Sequence, residues 1–254
     1  MNDSTTNQAS PVCMVTGGSS GIGLAVSRRF AAEGYQLAIC GRDEKKLAAA
    51  AQIIDQVSLD AGYAHKAFQL KADLADVEQA KSFAAATLDR FGQVDVLVNN
   101  AALAPLAEFD AIKPKSFEAT TNVNIRSVFY LTQAIWKSIK QRADRDTAAT
   151  IVNVSSLSAV DPFPGFSLYG ASKAWIDLLT EALATEGEGQ GTRVCSVRPG
   201  AVETPLLRGL FPDFPSDQCV SPDTVAEIVW GCVASPEKYP SGGHFHVTAQ
   251  TDAV

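Results

Sequence analysis

"VCMVTGGSSGIGLAVSRRF" occupies residues 12–30. Val12 to Thr16 are apolar or β-branched without alternation, as in a strand covered on both faces. The run breaks at Gly17, Gly21 and Gly23, spaced G-x-x-x-G-x-G, and a helical pattern follows to about Glu33. Glycine is needed where φ is positive or where a ligand must touch the backbone. A helix that starts there presents unpaired N–H groups and the positive end of its dipole, a site suited to a pyrophosphate. The same glycines could serve a plain tight turn. Their place between a first buried strand and a helix favours nucleotide binding.

Outward from this unit the pattern repeats. Strand-like runs follow at 36–40, 64–70, 94–100, 150–156, 193–200 and 243–247, which with the first makes seven. Helical patterns lie between them, from about Asp43, near 76–91, over 114–141, over about 169–187 and at 221–235. In the third of these, Ile125, Val128, Phe129, Thr132, Ile135, Trp136 and Ile139 mark the apolar face; in the fourth, Ala171, Ala174, Trp175, Leu178, Leu179 and Ala182 do. Strand–helix alternation at this spacing predicts an α/β fold of Rossmann type, a doubly wound, mostly parallel seven-stranded sheet with helices on both faces. No linker or repeat divides it, so residues 11–250 are expected as one dinucleotide-binding and catalytic domain behind a disordered tail, 1–10.

The chain has 254 residues, 46% hydrophobic and 19% charged, enough to bury a large core. A net charge of −7 argues against nucleic acid or an anionic membrane as partner and leaves room for a small-molecule substrate. No apolar run approaches the roughly 18 residues of a membrane span, and the polar start lacks signal-peptide character, so a cytoplasmic protein is expected. The five cysteines are widely spaced and read as reduced, packed thiols. His244 and His246 share a strand face without a third ligand nearby, so no metal site is expected.

Two further stretches carry chemistry. The second strand ends "CGRD" (40–43), where NAD sites commonly place an acid on the ribose. Gly41 offers no carboxylate, Arg42 offers a guanidinium for a 2′-phosphate, and Asp43 reads as the cap of the next helix. NADP is therefore favoured over NAD. "LYGASKAWIDLL" (168–179) puts Tyr169 and Lys173 one helical turn apart. Alone, that could be a half-exposed surface pair.

Taken together, these stretches resemble the short-chain dehydrogenase/reductase family, in its single-domain branch, over nearly the whole chain. "TGGSSGIG" (16–23) resembles its cofactor loop, which implies Gly17, Ser19, Ser20, Gly21, Ile22 and Gly23 at the dinucleotide. "ADL" (72–74) resembles its adenine pocket, with Asp73 and Leu74. "NNAA" (99–102) stands where the family usually has N-N-A-G and implies Asn100 and Ala101 at the cofactor. "NVNIRS" (122–127) carries the helix asparagine, Asn124. "NVSS" (153–156) implies Ser156 as the catalytic serine, and "YGASK" supplies Tyr169 and Lys173. "RPGAVET" (198–204) resembles the nicotinamide lining and implies Pro199, Gly200, Val202 and Thr204. The resemblance implies Tyr169 as proton donor and acceptor, and Lys173 bonded to the nicotinamide ribose and tuning the phenol. It implies Ser156 bonded to the substrate oxygen and Asn124 on a water that leads to Lys173. Ala102 and the absence of a V-D-G-G ending depart from the family pattern.

The expected activity is hydride transfer between NADP and a ketone or secondary alcohol. A 3-oxoacyl-thioester reductase is the alternative, and a dinucleotide-binding sensor or scaffold the non-enzymatic one. The stretch 206–220 is long and rich in Leu and Phe. It either packs on protein or lines an apolar pocket, in which case Leu207 and Phe211 would meet substrate together with Leu103, Leu157 and Phe163. Two long helices at 114–141 and 169–187 form subunit interfaces in this family, which implies a homodimer or homotetramer.

Overall fold

Val12–Thr16 form β1 with every residue buried, and Gln36–Gly41 form β2 beside it in parallel. In this computed structural model, which describes residues 10–140 and 148–249, the other strands are β3 (Phe68–Lys71), β4 (Val96–Asn99), β5 (Ala149–Val154), β6 (Thr192–Pro199) and β7 (His244–Val247). They form one seven-stranded sheet in the order β3-β2-β1-β4-β5-β6-β7, with parallel pairing throughout. The helices are α1 (Gly21–Ala32), α2 (Glu44–Asp60), α3 (Val77–Phe91), α4 (Pro114–Thr121), α5 (Ser127–Lys140), α6 (Ser167–Gly187), α7 (Pro205–Leu210) and α8 (Pro222–Ala234). Of the expected tail, residues 1–9 lie outside the described residues, as does residue 250 of the expected domain.

The continuously apolar strands feed two cores. Side chains alternate across a strand, so Cys13 and Val15 of β1, Val96 and Val98 of β4, and Cys195 and Val197 of β6 enter one core with Phe30, Ile54 and Val229. Met14, Leu97 and Val194 enter the other with Phe83, Leu131, Ile135 and Ile139. Helices on both faces are what this requires. Asp43 caps α2 as expected, its carboxylate accepting from the N–H groups of Lys45 and Lys46 at 2.9 and 3.1 Å.

Three local expectations need correction. β3 starts at Phe68 rather than at residue 64, because the Ala67 N–H donates to Asp55 Oδ1 of α2 at 2.8 Å instead of to a strand neighbour. The expected helix 114–141 is α4, a π-helical turn over Asn122–Arg126, and α5; Gln141 lies outside the described residues. A π turn carries more residues than an α turn, yet Val128, Thr132, Ile135 and Ile139 beyond it are buried as their spacing required. Leu131 enters the core with Val128, Ile135 and Ile139, and Phe129 is exposed. On α6 the outcome is a reversal: Ser172, Lys173, Ile176, Asp177 and Thr180 are buried, while Leu178 is 67% exposed.

Candidate active site

A cavity of about 550 Å³ runs along the C-terminal ends of the strands, between the loops after β1, β2, β3, β4, β5 and β6. The strand order reverses between β1 and β4, and open α/β sheets bind ligands in the crevice at such a reversal. Every residue expected at cofactor or substrate lines this cavity except Gly23 and Asn124.

The glycine turn lies at one end. Gly17 and Gly21 have φ of +66° and +52°, in the left-handed region. Gly23 lies behind the turn, where a Cβ would come within 2.3 Å of the Gly17 carbonyl oxygen and 2.5 Å of Asn100 Nδ2. Its part is therefore to let the loop and α1 meet, not to touch a ligand. Asn100 Nδ2 donates to the Thr16 carbonyl at 2.8 Å, and Thr16 Oγ1 accepts from the N–H groups of Asn100 and Ala101 at 2.9 and 3.0 Å. These bonds lock the loops after β1 and β4 together. Ser20 stands at the N-cap of α1 without a side-chain capping bond, and the first turn holds no acid. A tight glycine cradle under an uncapped helix end fits a dinucleotide pyrophosphate. Farther along, Arg42 lines the cavity, exposed and without a side-chain partner among the described residues.

At the middle of the cavity, Ser155 and Ser156 follow directly on β5, and the first turn of α6 supplies Tyr169. Ser156 Oγ donates to Ser158 Oγ at 3.2 Å and stands close enough to the Tyr169 phenol to favour its ionised form. It also accepts from the Ser158 N–H at 3.1 Å. Lys173 is 2% exposed; its Nζ lies 5.6 Å from the Tyr169 ring centroid and donates to the Val154 carbonyl at 2.7 Å. Burial pushes the phenol up to about 12, with the Ser156 hydroxyl opposing. Burial also pulls the Lys173 ammonium down to about 8, with the carboxylate of Asp177 opposing. Desolvation is thus the larger of the two influences on the phenol. Asp177, one turn beyond Lys173, is held by Ser196 Oγ at 2.7 Å and Arg198 Nε at 2.8 Å.

Asn124 is fully buried beside the cavity rather than in it. Its Oδ1 accepts from the Leu103 N–H at 2.8 Å, and its Nδ2 donates to the Leu103 carbonyl at 2.8 Å and to Ser172 Oγ at 2.9 Å. The side chain clamps the loop after β4 to α6.

The other end is apolar. Leu103, Leu157, Phe163, Leu207 and Phe211 line it as expected, joined by Phe166, Leu210 and Phe214. Phe166 was not foreseen as a site residue. It packs 5.3 Å from the Tyr169 ring, and Phe211 meets both Phe163 and Phe166 edge-on at 6.0 Å. Its spacing of three before Tyr169, at the start of one helix, was the available signal. Asp161, also unforeseen, lines the cavity and is exposed.

The sequence profile described as short chain dehydrogenase matches residues 11–214. The chain belongs to the short chain dehydrogenase family. Among its relatives, the 2-(R)-hydroxypropyl-CoM dehydrogenase of Xanthobacter autotrophicus is 34% identical over 202 residues, 78% of this chain and 77% of that one. The 3beta-hydroxysteroid dehydrogenase 1 of Eggerthella lenta is 34% identical over 241 residues, 95% of this chain and 88% of that one. The crystal structure of the 3-ketoacyl-(acyl-carrier-protein) reductase of Brucella melitensis, complexed with NADH, superposes with a TM-score of 0.83 at 28% identity, covering 94% of this chain and 97% of that one. This short chain dehydrogenase is therefore an oxidoreductase that works with a nicotinamide dinucleotide on hydroxyl or keto groups. Among the described residues, no helix is long and apolar enough to cross a membrane.

Proposed function

We propose that the protein is an NADP-dependent reductase of apolar ketones, or the dehydrogenase of the corresponding secondary alcohols. The observation that carries this is one continuous cavity with the glycine cradle at one end, Ser156, Tyr169 and Lys173 at its centre, and a wall of leucine and phenylalanine at the other. The dinucleotide, when bound along Gly17, Ser19, Ser20, Gly21, Ile22, Asp73 and Asn100, supplies or accepts the hydride. Ser156 donates a hydrogen bond to the substrate oxygen, where negative charge develops. Tyr169 delivers the proton to that oxygen in reduction and takes it back in oxidation. Burial holds the phenol in its protonated form, the form that can donate. Lys173 keeps a cation one turn from the phenol, anchored on Val154, and Asn124 acts from behind by fixing Leu103 against α6.

The choice of NADP is supported by Arg42, which lines the cavity without a protein partner among the described residues, and by Asp43, whose carboxylate is committed to α2. The ketoacyl relative makes a 3-oxoacyl thioester the second reading. Such carriers are anionic, yet the only cations among the described lining residues are Arg42 and Lys173; the apolar end adds Asp161 instead. A sensor would not need the serine, tyrosine and lysine together. Apolar side chains left exposed on α4, α5 and α6, namely Phe117, Phe129 and Leu178, support a homodimer or homotetramer. The five free thiols are compatible with a cytoplasmic setting.

The test is a panel of ketones and alcohols with NADPH and NADP, followed by cofactor absorbance, for the wild type and Tyr169→Phe. The variant keeps the ring and loses the transferable proton. Turnover should fall at least ~10²-fold with cofactor affinity nearly unchanged. Near-normal turnover would remove Tyr169 from the chemistry.

A further inference from the structure

Residues 203–219 leave the sheet between two backbone anchors. Val202 bridges to Val220, the Glu203 N–H donates to the Val220 carbonyl at 2.9 Å, and the Val220 N–H donates to the Ala201 carbonyl at 2.8 Å. The outward limb is Thr204 and α7, and the return limb runs from Pro212 to Cys219. Among the described residues no backbone hydrogen bond joins residues 204–210 to 212–219. Side chains join them instead, chiefly that of Arg208.

Its Nη1 donates to the carbonyls of Pro212 at 3.1 Å and Phe214 at 2.6 Å, and its Nη2 to Ser216 Oγ at 2.7 Å. Its Nε and Nη2 meet the two oxygens of Glu203, the former at 2.6 Å. All five N–H groups of the guanidinium are thus taken. An exposed ion pair alone would count for little. This one is bidentate and is continued into three further acceptors, which a planar fork can satisfy and an ammonium cannot. Arg208 does not line the cavity, but the residues around it do: Leu206, Leu207, Leu210, Phe211 and Phe214.

We propose that Arg208 is the positioning residue of the substrate wall. Its guanidinium pins the return limb to α7 and so holds Leu207, Phe211 and Phe214 at the apolar end of the cavity. The inference rests on the reading that this end receives the substrate. It assigns the wall's specificity to a residue outside the cavity.

The experiment compares wild type, Arg208→Lys, Arg208→Ala and Ser216→Ala in the full chain by two measurements. Amide hydrogen exchange of peptides covering 203–219 reports the wall without any substrate. Steady-state kinetics on a series of ketones of rising apolar size report its use, with NADPH affinity and thermal unfolding as controls. Arg208→Lys and Arg208→Ala should speed exchange in 203–219 by about tenfold or more while the sheet remains protected. They should raise KM for the largest ketones about tenfold, flatten the size dependence and leave kcat within about threefold. Ser216→Ala, which removes one tie and poses no threat to the fold, should shift exchange in the same direction by less. Wild-type exchange in Arg208→Lys would overturn the proposal, since a retained charge would then suffice. Faster exchange with an unchanged KM series would overturn it too, because the excursion would be held by Arg208 without shaping substrate choice. If the wild type reduces no ketone, the proposed function falls, and the exchange measurement still decides whether Arg208 holds the wall.

Discussion

Lys173→Met should make the protein's stability respond differently to pH, by an amount that follows from where the lysine sits. Its side chain is 2% exposed and its ammonium is drawn down from 10.5 to about 8. In the unfolded chain the group keeps its ordinary pKa, so between pH 8 and 10.5 the unfolded state binds more protons than the folded one. The contribution of Lys173 to the stability of the wild type must then rise with pH through this window. Below pH 8 both states are protonated, and the cost of the buried charge is present in full. Integrated from pH 7 to pH 10, the shift amounts to about 2.5 kcal/mol in favour of the folded wild type. Methionine has no such term. The hydrogen bond to the Val154 carbonyl, lost in the variant, and the altered packing offset the two proteins by an amount that does not depend on pH. Tyr169, held up at about 12, is present in both and cancels. The assay is urea unfolding of both proteins without cofactor at pH 7 and pH 10. The difference in unfolding free energy, wild type minus variant, should grow by about 2–3 kcal/mol between the two. A difference that is the same at both pH values would refute the account of Lys173 as a charge kept buried at a cost to the fold.

Arg42→Ala should weaken NADPH binding tenfold or more and NADH binding little, since charge-assisted bonds to a phosphate contribute roughly 1.5–3 kcal/mol each. Gly41→Asp should move preference toward NADH; a Cβ there would lie 3.1 Å from Ser19 Oγ, a contact that a small shift of one hydroxyl relieves. A wild type that already prefers NADH would end this reading. Phe211→Ala removes the edge-on contacts to Phe163 and Phe166 and should raise KM for bulky apolar ketones with cofactor affinity nearly unchanged. If wild-type kcat/KM is flat across the size series, or highest for polyhydroxylated substrates, the apolar-pocket reading fails.

The sheet and most of the cavity were legible in the sequence because each rests on a short-range rule. Strands buried on both faces need unbroken apolar runs, and β1, β2, β4, β5 and β6 have them. Gly17 and Gly21 are where the backbone turns left-handed, and Tyr169 and Lys173 share a helix face because residues four apart do. Asp43 announced its capping role by position alone. Polar side chains were read less well, since their partners are distant in sequence. The pattern put the alanines and leucines of α6 inward. The fold buries Lys173, Asp177 and Thr180 instead, because Val154 and Asn153 of β5 and Ser196 and Arg198 of β6 offer them hydrogen bonds. Phe129 of α5 is left exposed although Val128, Thr132, Ile135 and Ile139 are buried as their spacing required, and no periodicity announces the π turn that precedes them. Asn124 was placed on its helix, but its side-chain partners Leu103 and Ser172 lie on other segments and were not foreseen. Arg208 went unnoticed as an ordinary loop cation. Hydrophobic patterning records how much surface each element must bury; which polar atoms can follow it inside depends on donors and acceptors that meet only when the chain has folded.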